Sequence, residues 1–413
     1  MYSVAGFKCC ECAQEFLPPE IEYVCPSCGG NLDVVYDYGA VARNLSRTAL
    51  QQDRQSSMWR YRPLLPVRDD SPLPSLVVGW TPMANCESLA RQLGLKAVLI
   101  KDEGRNPTGS LKDRPSALLV IKAREAGARI ITTASSGNAG GALAGVCASV
   151  GMKSVIFVPS SIPRAKLTQL QVYGSVVVAV EGSYDQTVEL CMKAGRHFGW
   201  YQRSTGYNPY TREGKKTAAL EIAEQLNWRP PDKVFVPMGD GNIASGIWKG
   251  FRDLMALGFI ERSPRLIGVQ AEGTSSIVDA VNGDGVVRES SGSTIAGGIN
   301  VTRANDPTMA VRAIRESSGF GVKVSDEEIR TAILGLARSS GVFAEPAAAA
   351  AFAGLVKSCE AGLVKDGETV LVLITGTGLK DIEAPGKRLS EPLRVAPDLN
   401  ELERRLGDEG IRR

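Results

Sequence analysis

Histidine is nearly missing from this chain, since His197 is the only one in 413 residues. Any Ser-His device would have to run through that residue, and paired-His metal sites of the zinc-peptidase kind are excluded. His197 stands in CMKAGRHFGWY, where it reads as a partly buried residue near the end of a helix. A large charge of one sign is also lacking. The formal net charge of +3 is too small for a nucleic-acid or membrane partner to be inferred from the field alone. No apolar run reaches the roughly eighteen residues that a membrane helix needs, and the opening MYSVAGFKCC lacks the basic-then-apolar order of a signal peptide. A cytoplasmic protein with neither membrane nor nucleic-acid partners is the expectation.

Cysteines are present, nine of them, but without need of disulfides. Cys86, Cys147, Cys191 and Cys359 are isolated in segments that read as buried or helical. The others crowd the start. Cys9-x-x-Cys12 and Cys25-x-x-Cys28 are separated by twelve residues, and Gly29 and Gly30 follow directly. Two such knuckles bring four thiolates to one tetrahedral Zn2+, and a piece of about 30 residues has no other way to build a core. Cys10 could exchange with Cys9, although its spacing to Cys12 suits a knuckle less well. Lys8 is the only basic residue before Arg43, whereas Glu11, Glu15, Glu20 and Glu22 are acidic. A ribbon of this sign suits a structural or protein-docking role better than binding to phosphates.

Length favours two lobes plus an accessory piece. Residues 1–35 read as the zinc-ribbon module and 36–75 as a polar, Arg-rich, proline-broken arm laid over the main body. Beyond it, short apolar runs alternate with helical patterns: AVLI (97–100), RIITTA (129–134), SVIFVP (154–159), VVVAVEG (176–182), KVFVPMG (233–239), RLIGVQAEG (265–273) and TVLVLITGTG (369–378). Continuous apolar strands separated by helices indicate an α/β fold with parallel sheets covered on both faces. In such folds ligands collect at the carboxyl ends of strands.

Four segments carry chemistry at those ends. In GRNPTGSLKDR, Lys112 falls in the first turn of an apolar helix, where desolvation and the positive end of the dipole favour a neutral amine. A lysine of that kind can form a Schiff base. In TTASSGNAGG, Ser135, Ser136 and Gly137 offer hydroxyls and backbone N–H groups to a carboxylate, and Asn138 could reach a phenolic oxygen. After KVFVP, the glycines of Met238-Gly239-Asp240-Gly241-Asn242-Ile243 let the backbone wrap a phosphate at a helix start. The last strand ends in Thr375-Gly376-Thr377-Gly378, and a neutral hydroxyl there would leave a pyridine nitrogen unprotonated.

The order of these segments, together with the ribbon, resembles the threonine synthase family of pyridoxal-phosphate enzymes. WTPM (80–83), VEGSYDQ (180–186), NPYTREGKKT (208–217), ESSGFGVKVSDEEI (316–329), GVFAEPAAAA (341–350) and TGTGLKD (375–381) extend the resemblance from about 76 to 385. It implies pyridoxal-phosphate fold type II, with two doubly wound domains and the cofactor in the cleft. The catalytic region is 76–390, its smaller lobe about 116–205 inserted in the larger, and 391–413 is a C-terminal tail. It further implies that Lys112 bonds the cofactor and acts as the catalytic base, that Asn138 contacts the cofactor O3′, and that Gly239, Asp240, Gly241, Asn242 and Ile243 hold its phosphate. Thr375 would meet the ring nitrogen, and Ser135, Ser136 and Gly137 the substrate carboxylate. The implied reaction takes O-phospho-L-homoserine and water to L-threonine and phosphate, and a homodimer follows by analogy.

The chain departs from the family pattern where the substrate phosphate would lie. Thr211 occupies the fourth position of NPYT, where the family carries arginine, and Arg212 follows it. Ala139 stands where a hydroxyl residue is usual, and the phosphate loop is one residue short. Arg212 is the expected replacement, with Ser204, Thr205 and Lys215 as further donors; a solvated loop residue is its alternative role. The departures leave room for β-elimination or β-replacement on serine, threonine, phosphoserine or an O-acylserine by the same lysine. A non-enzymatic zinc-ribbon regulatory or binding protein is the reading from another class.

Overall fold

The computed structural model describes residues 3–18, 22–386 and 389–408, so that Glu20 and the end of the tail, 409–413, lie outside it. Strands β1 (Val4–Cys9), β2 (Glu15–Phe16) and β3 (Leu32–Tyr36) form an antiparallel sheet with β1 in the middle. Every second residue of β3 points inward, as strand periodicity requires. Leu32, Val34 and Tyr36 join Phe7 in the same apolar cluster as Trp248 and Phe251 of the main body. The ribbon therefore shares its core with the body.

The segment 36–75 is inserted more deeply than its polar composition predicts. Helices Tyr38–Asn44 and Arg47–Gln52 are capped by the Asp37 and Ser46 side chains. In the following 3-10 turn, Met58–Leu64, the side chains of Met58, Trp59, Tyr61 and Leu64 are buried. Arg60 is buried as well, because Glu224 accepts from its guanidinium. An arginine-rich arm can be keyed into a core when each charge finds a partner, which its composition does not reveal.

The chain then lays β4 (Met83–Asn85) and β5 (Ala97–Asp102) and leaves for a second sheet made of β6 (Ile130–Ala134), β7 (Lys153–Pro159), β8 (Val176–Val180) and β9 (Tyr201–Gln202). It returns with β10 (Lys233–Pro237), β11 (Arg265–Ala271), β12 (Phe320–Val324) and β13 (Thr369–Ile374). The larger sheet has the order β12-β11-β10-β13-β5-β4 and the smaller β8-β7-β6-β9. All pairings are parallel except that of β4 with β5. β4 is a three-residue edge strand whose Ala84 and Asn85 are exposed, so the burial that demands a continuous apolar run does not apply to it. β12 and β9 were not among the apolar runs: FGVKV is interrupted by Gly321 and Lys323, and β9 is two residues long. His197 lies exposed in the last turn of helix Tyr184–Phe198, not partly buried. Among the described residues no helix is long and apolar enough to cross a membrane.

The helix Tyr210–Gln225 is buried from Thr211 to Ala223 although it contains Arg212, Glu213, Lys215, Lys216 and Glu221. It packs against the helices Asp113–Glu125 and Asn242–Ala256 at very short range. A Cβ on Gly214 would lie 2.4 Å from Pro115 Cα, so only glycine allows the helix that follows Lys112 to approach. Glu221 accepts from Arg114, from Lys101 Nζ at 2.9 Å and from the Trp80 amide at 2.7 Å. The other face of the Arg114 guanidinium meets Glu103. Removing one member of such a set leaves the others buried and unopposed. Arg114→Ala is accordingly expected to lower stability by about 3–5 kcal/mol in denaturant titrations; a loss below about 1 kcal/mol, the scale of an exposed pair, would show that the network does not hold the helix.

Candidate active site

Lys112 is the N-cap of helix Asp113–Glu125, one position before the first turn in which the sequence places it. Two features set its position. Asp113 accepts from the Thr108 amide and hydroxyl, closing the preceding turn. The Leu111 amide donates to Thr375 O at 2.9 Å, and the Thr377 amide to Gly109 O at 3.1 Å. The segment before Lys112 and the end of β13 are thus stitched as a short ladder, which brings Lys112 beside Thr375. Gly109 has φ +85°, a conformation that permits this crossing.

Loops from both sheets close around the lysine. The smaller sheet contributes Ser135, Ser136 and Gly137, and Gly137 is the N-cap of helix Asn138–Ser149. A Cβ on Gly140 would lie 2.3 Å from Ser135 O, so the loop folds directly onto the helix start. From this loop Asn138 Nδ2 donates to Glu345 Oε1 at 2.8 Å, while its Oδ1 accepts from Lys380 Nζ at 3.0 Å. Both partners belong to the larger lobe. Glu345 precedes Pro346 at a helix start and Lys380 lies in the turn after β13, so neither stood out as a site residue beyond its place in a family motif.

The glycine loop after β10 ends with Gly241 at φ +85° as the N-cap of helix Asn242–Ala256. A Cβ on Gly241 would fall 2.5 Å from Ala310 Cβ, and one on Gly239 3.0 Å from Ile299 Cα. Backbone alone fits there, and a helix start offers free N–H groups to an anion. Asn242 Nδ2 donates to Asp306 Oδ2 at 2.7 Å, and Lys215 Nζ donates to Asn242 Oδ1. Asp240 accepts from Asn305 Nδ2 at 2.7 Å, and burial pushes its carboxyl up.

The electrostatics depress the amine of Lys112. Its ammonium forms no ion pair among the described residues, and burial, followed by the Arg203 charge, brings its pKa down to about 8. Lys215, fully buried, is held well below the ordinary lysine range by burial and then by Lys112 and Arg203. Arg203 carries no mark in the sequence, because it follows the two-residue strand β9.

Arg212 is not brought to this cleft. Its Nη1 donates to Leu32 O at 3.1 Å and pairs with Asp33 at 3.0 Å, and its Nη2 pairs with Asp306 at 2.8 Å. The guanidinium is buried between ribbon and body, neither a solvated loop residue nor the ligand expected for a substrate phosphate. Thr211, also buried, braces its own turn by donating to Asn208 O at 2.8 Å.

In the ribbon, the sulfurs of Cys9, Cys12, Cys25 and Cys28 all lie within 4.8 Å of one another. Cys9 and Cys28 sulfurs are 3.5 Å apart and those of Cys12 and Cys25 3.7 Å. A tetrahedron with Zn–S bonds of ~2.3 Å has edges of about 3.8 Å, so the set fits a metal of that size. Cys10 points away, toward Arg212 Nη1 at 3.9 Å.

A family model described as pyridoxal-phosphate dependent enzyme matches residues 74–376. The cleft suits that class: a lysine amine of depressed pKa, a glycine loop at a helix start, and Thr375 beside the lysine. The chain belongs, within it, to the threonine synthase family. It is 37% identical to the threonine synthase of Methanocaldococcus jannaschii over 400 residues, covering 96% of this chain and 98% of that protein. To the threonine synthase of Methanosarcina acetivorans it is 36% identical, covering 95% and 96%. Among solved structures, threonine deaminase isoform 2 of Solanum lycopersicum aligns with TM-score 0.64 at 22% identity, over 75% of this chain and 84% of that one. O-ureido-L-serine synthase aligns with TM-score 0.65 at 20% identity, over 82% and 99%. These neighbours share the fold, which is the α/β architecture of fold type II that the sequence led us to expect.

The Lys112 pKa sets a pH window. With its amine lowered from the ordinary value to about 8, the neutral, nucleophilic form accumulates as pH rises through 8, well below the range of a free lysine. Addition of pyridoxal phosphate to cofactor-free protein, followed by its visible absorbance, is expected to accelerate roughly tenfold per pH unit below that point and level off above it. A rate still rising steeply at pH 10 would contradict this assignment.

Proposed function

We propose that this chain converts O-phospho-L-homoserine and water to L-threonine and phosphate. The observation that carries the reading is the meeting of loops from both sheets around Lys112, which forms no ion pair among the described residues, in a chain alike to threonine synthases along nearly its whole length. Pyridoxal phosphate, when bound, supplies an aldehyde that condenses with an amine and a ring that takes up the electron pair left by a departing proton. Everything else falls to the chain.

Lys112 is the group placed to bond that aldehyde and, once the substrate amine displaces it, to move protons. In its neutral form it takes the α proton and then a β proton. Phosphate departs from Cγ, a proton is delivered to Cγ, the hydroxyl of water joins Cβ, and Lys112 returns a proton to Cα. The product differs from the substrate by loss of the phosphate ester at Cγ and gain of the hydroxyl at Cβ, so the atoms balance. Ser135, Ser136 and Gly137, at the start of helix Asn138–Ser149, orient the substrate carboxylate. Asn138, held by Glu345 and Lys380, would contact the cofactor's phenolic oxygen. Gly239, Asp240, Gly241, Asn242 and Ile243 would hold its phosphate at the start of helix Asn242–Ala256, and Thr375 would meet its ring nitrogen.

The purified protein is expected to release threonine and phosphate in equal amounts from O-phospho-L-homoserine. Lys112→Ala should lose the visible band and reduce turnover by at least about 10²–10⁴, the contribution of a positioned acid–base group. Keto acid formed from serine or threonine, with no release from O-phospho-L-homoserine, would favour β-elimination and overturn the reading.

We further propose that Cys9, Cys12, Cys25 and Cys28 hold one structural Zn2+. Elemental analysis should find about one zinc per chain, by the four-thiolate stoichiometry. Cys12→Ser should lower both the zinc content and the melting temperature, and full zinc retention in that variant would refute the ligand set.

A further inference from the structure

The cations in and around the cleft differ in what holds them. Lys215 donates to Asn242 and Lys380 to Asn138, Arg212 is taken up by Asp33 and Asp306, and Lys112 serves the cofactor. Arg203 is the exception. Its amide donates to Thr132 O at 2.9 Å, which pins it where the smaller sheet ends, next to the loop of Ser135 to Asn138. Nη1 donates to Thr205 Oγ1 at 2.9 Å, and Nε reaches Ser116 Oγ at 3.5 Å. Nη2 has no hydrogen-bond partner, although the residue is 1% exposed. Among the described residues no carboxylate pairs with this guanidinium.

A buried guanidinium edge without an acceptor is costly, and proteins retain one where an anion completes it. The charges around Arg203 point the same way. Its field acts on Lys112 and Lys215, and Asp240 is the carboxylate that acts on it. The planar fork of an arginine matches a phosphate ester, which a threonine hydroxyl at position 211 cannot replace.

We infer that Arg203 binds the phosphate group of the substrate, in place of the arginine that the family pattern has at Thr211. This rests on O-phospho-L-homoserine being the substrate. Arg203 reaches the site from β9, on the smaller lobe, whereas the phosphate loop for the cofactor follows β10 of the larger one. The two phosphates would thus be held by residues of different lobes.

The test compares Arg203→Gln and Arg203→Lys with the wild type, each as holoenzyme with an intact visible band. Inorganic phosphate binding, by calorimetry, is expected to weaken by about 10- to 100-fold in Arg203→Gln, with Arg203→Lys between, since a charge-assisted contact is lost or loses its fork. kcat/KM for O-phospho-L-homoserine should fall by roughly 10²-fold, mainly through KM, while the cofactor dissociation constant stays within about threefold, because cofactor contacts are untouched. Wild-type affinity for phosphate in Arg203→Gln would overturn the inference. So would a cofactor affinity that falls with the phosphate affinity, which would place Arg203 on the cofactor. If the wild type leaves O-phospho-L-homoserine unchanged yet binds inorganic phosphate through Arg203, the substrate reading fails while the anion site stands.

Discussion

A helix that carries its charges on the inside organises this protein. In Tyr210–Gln225, Arg212, Glu213, Lys215, Lys216 and Glu221 are all buried, and each is answered by a different part of the chain. Arg212 meets Asp33 and Asp306, Glu213 meets Tyr36, Lys215 meets Asn242, Lys216 meets Asp253, and Glu221 meets Arg114 and Lys101. A buried charge is tolerated only with a partner in good geometry, so these pairs specify where the ribbon, the lysine helix and the phosphate loop sit relative to one another. The glycines of the same region let backbones touch, and the ion pairs then select one register from those that close packing would allow.

Asp306 extends this logic from the ribbon to the site. One carboxylate accepts from Arg212 Nη2, Asn242 Nδ2 and Ser245 Oγ, and Asn305, the residue before it, binds Asp240 and accepts from Asn31 of the ribbon. Arg312 adds a contact to Cys10 O at 3.2 Å. The cysteine knuckles, the buried arginine and the phosphate loop form one connected polar network. That explains why an arginine adjacent to the family's phosphate-binding position is absorbed by structure here.

Much of the architecture was legible because it is local. The apolar runs ending at Ala134, Pro159, Pro237 and Ile374 are strands because burial on both faces demands uninterrupted hydrophobicity. Lys112, Asn138, the Gly239–Ile243 loop and Thr375 could be found since each sits at a strand end or helix start with its own turn chemistry. β12, with its alternation broken by glycine and lysine, and the two-residue β9 leave no such trace. Arg203, Glu345 and Lys380 were not singled out as site residues, because an isolated charge acquires meaning only from the neighbours that folding assigns to it.

By itself, then, the sequence determined the class of fold and the four-cysteine module, consequences of periodicity and spacing within a few residues, and its resemblance to threonine synthases pointed to Lys112 and the order of loops around it. The tertiary structure alone decided which charges are free. Arg212 and Arg203 are nine residues apart and chemically identical, yet one is closed by Asp33 and Asp306 while the other keeps a buried Nη2 without a hydrogen-bond partner. Their roles diverge because pairing inside a protein depends on contacts across tens to hundreds of residues, which no local pattern encodes.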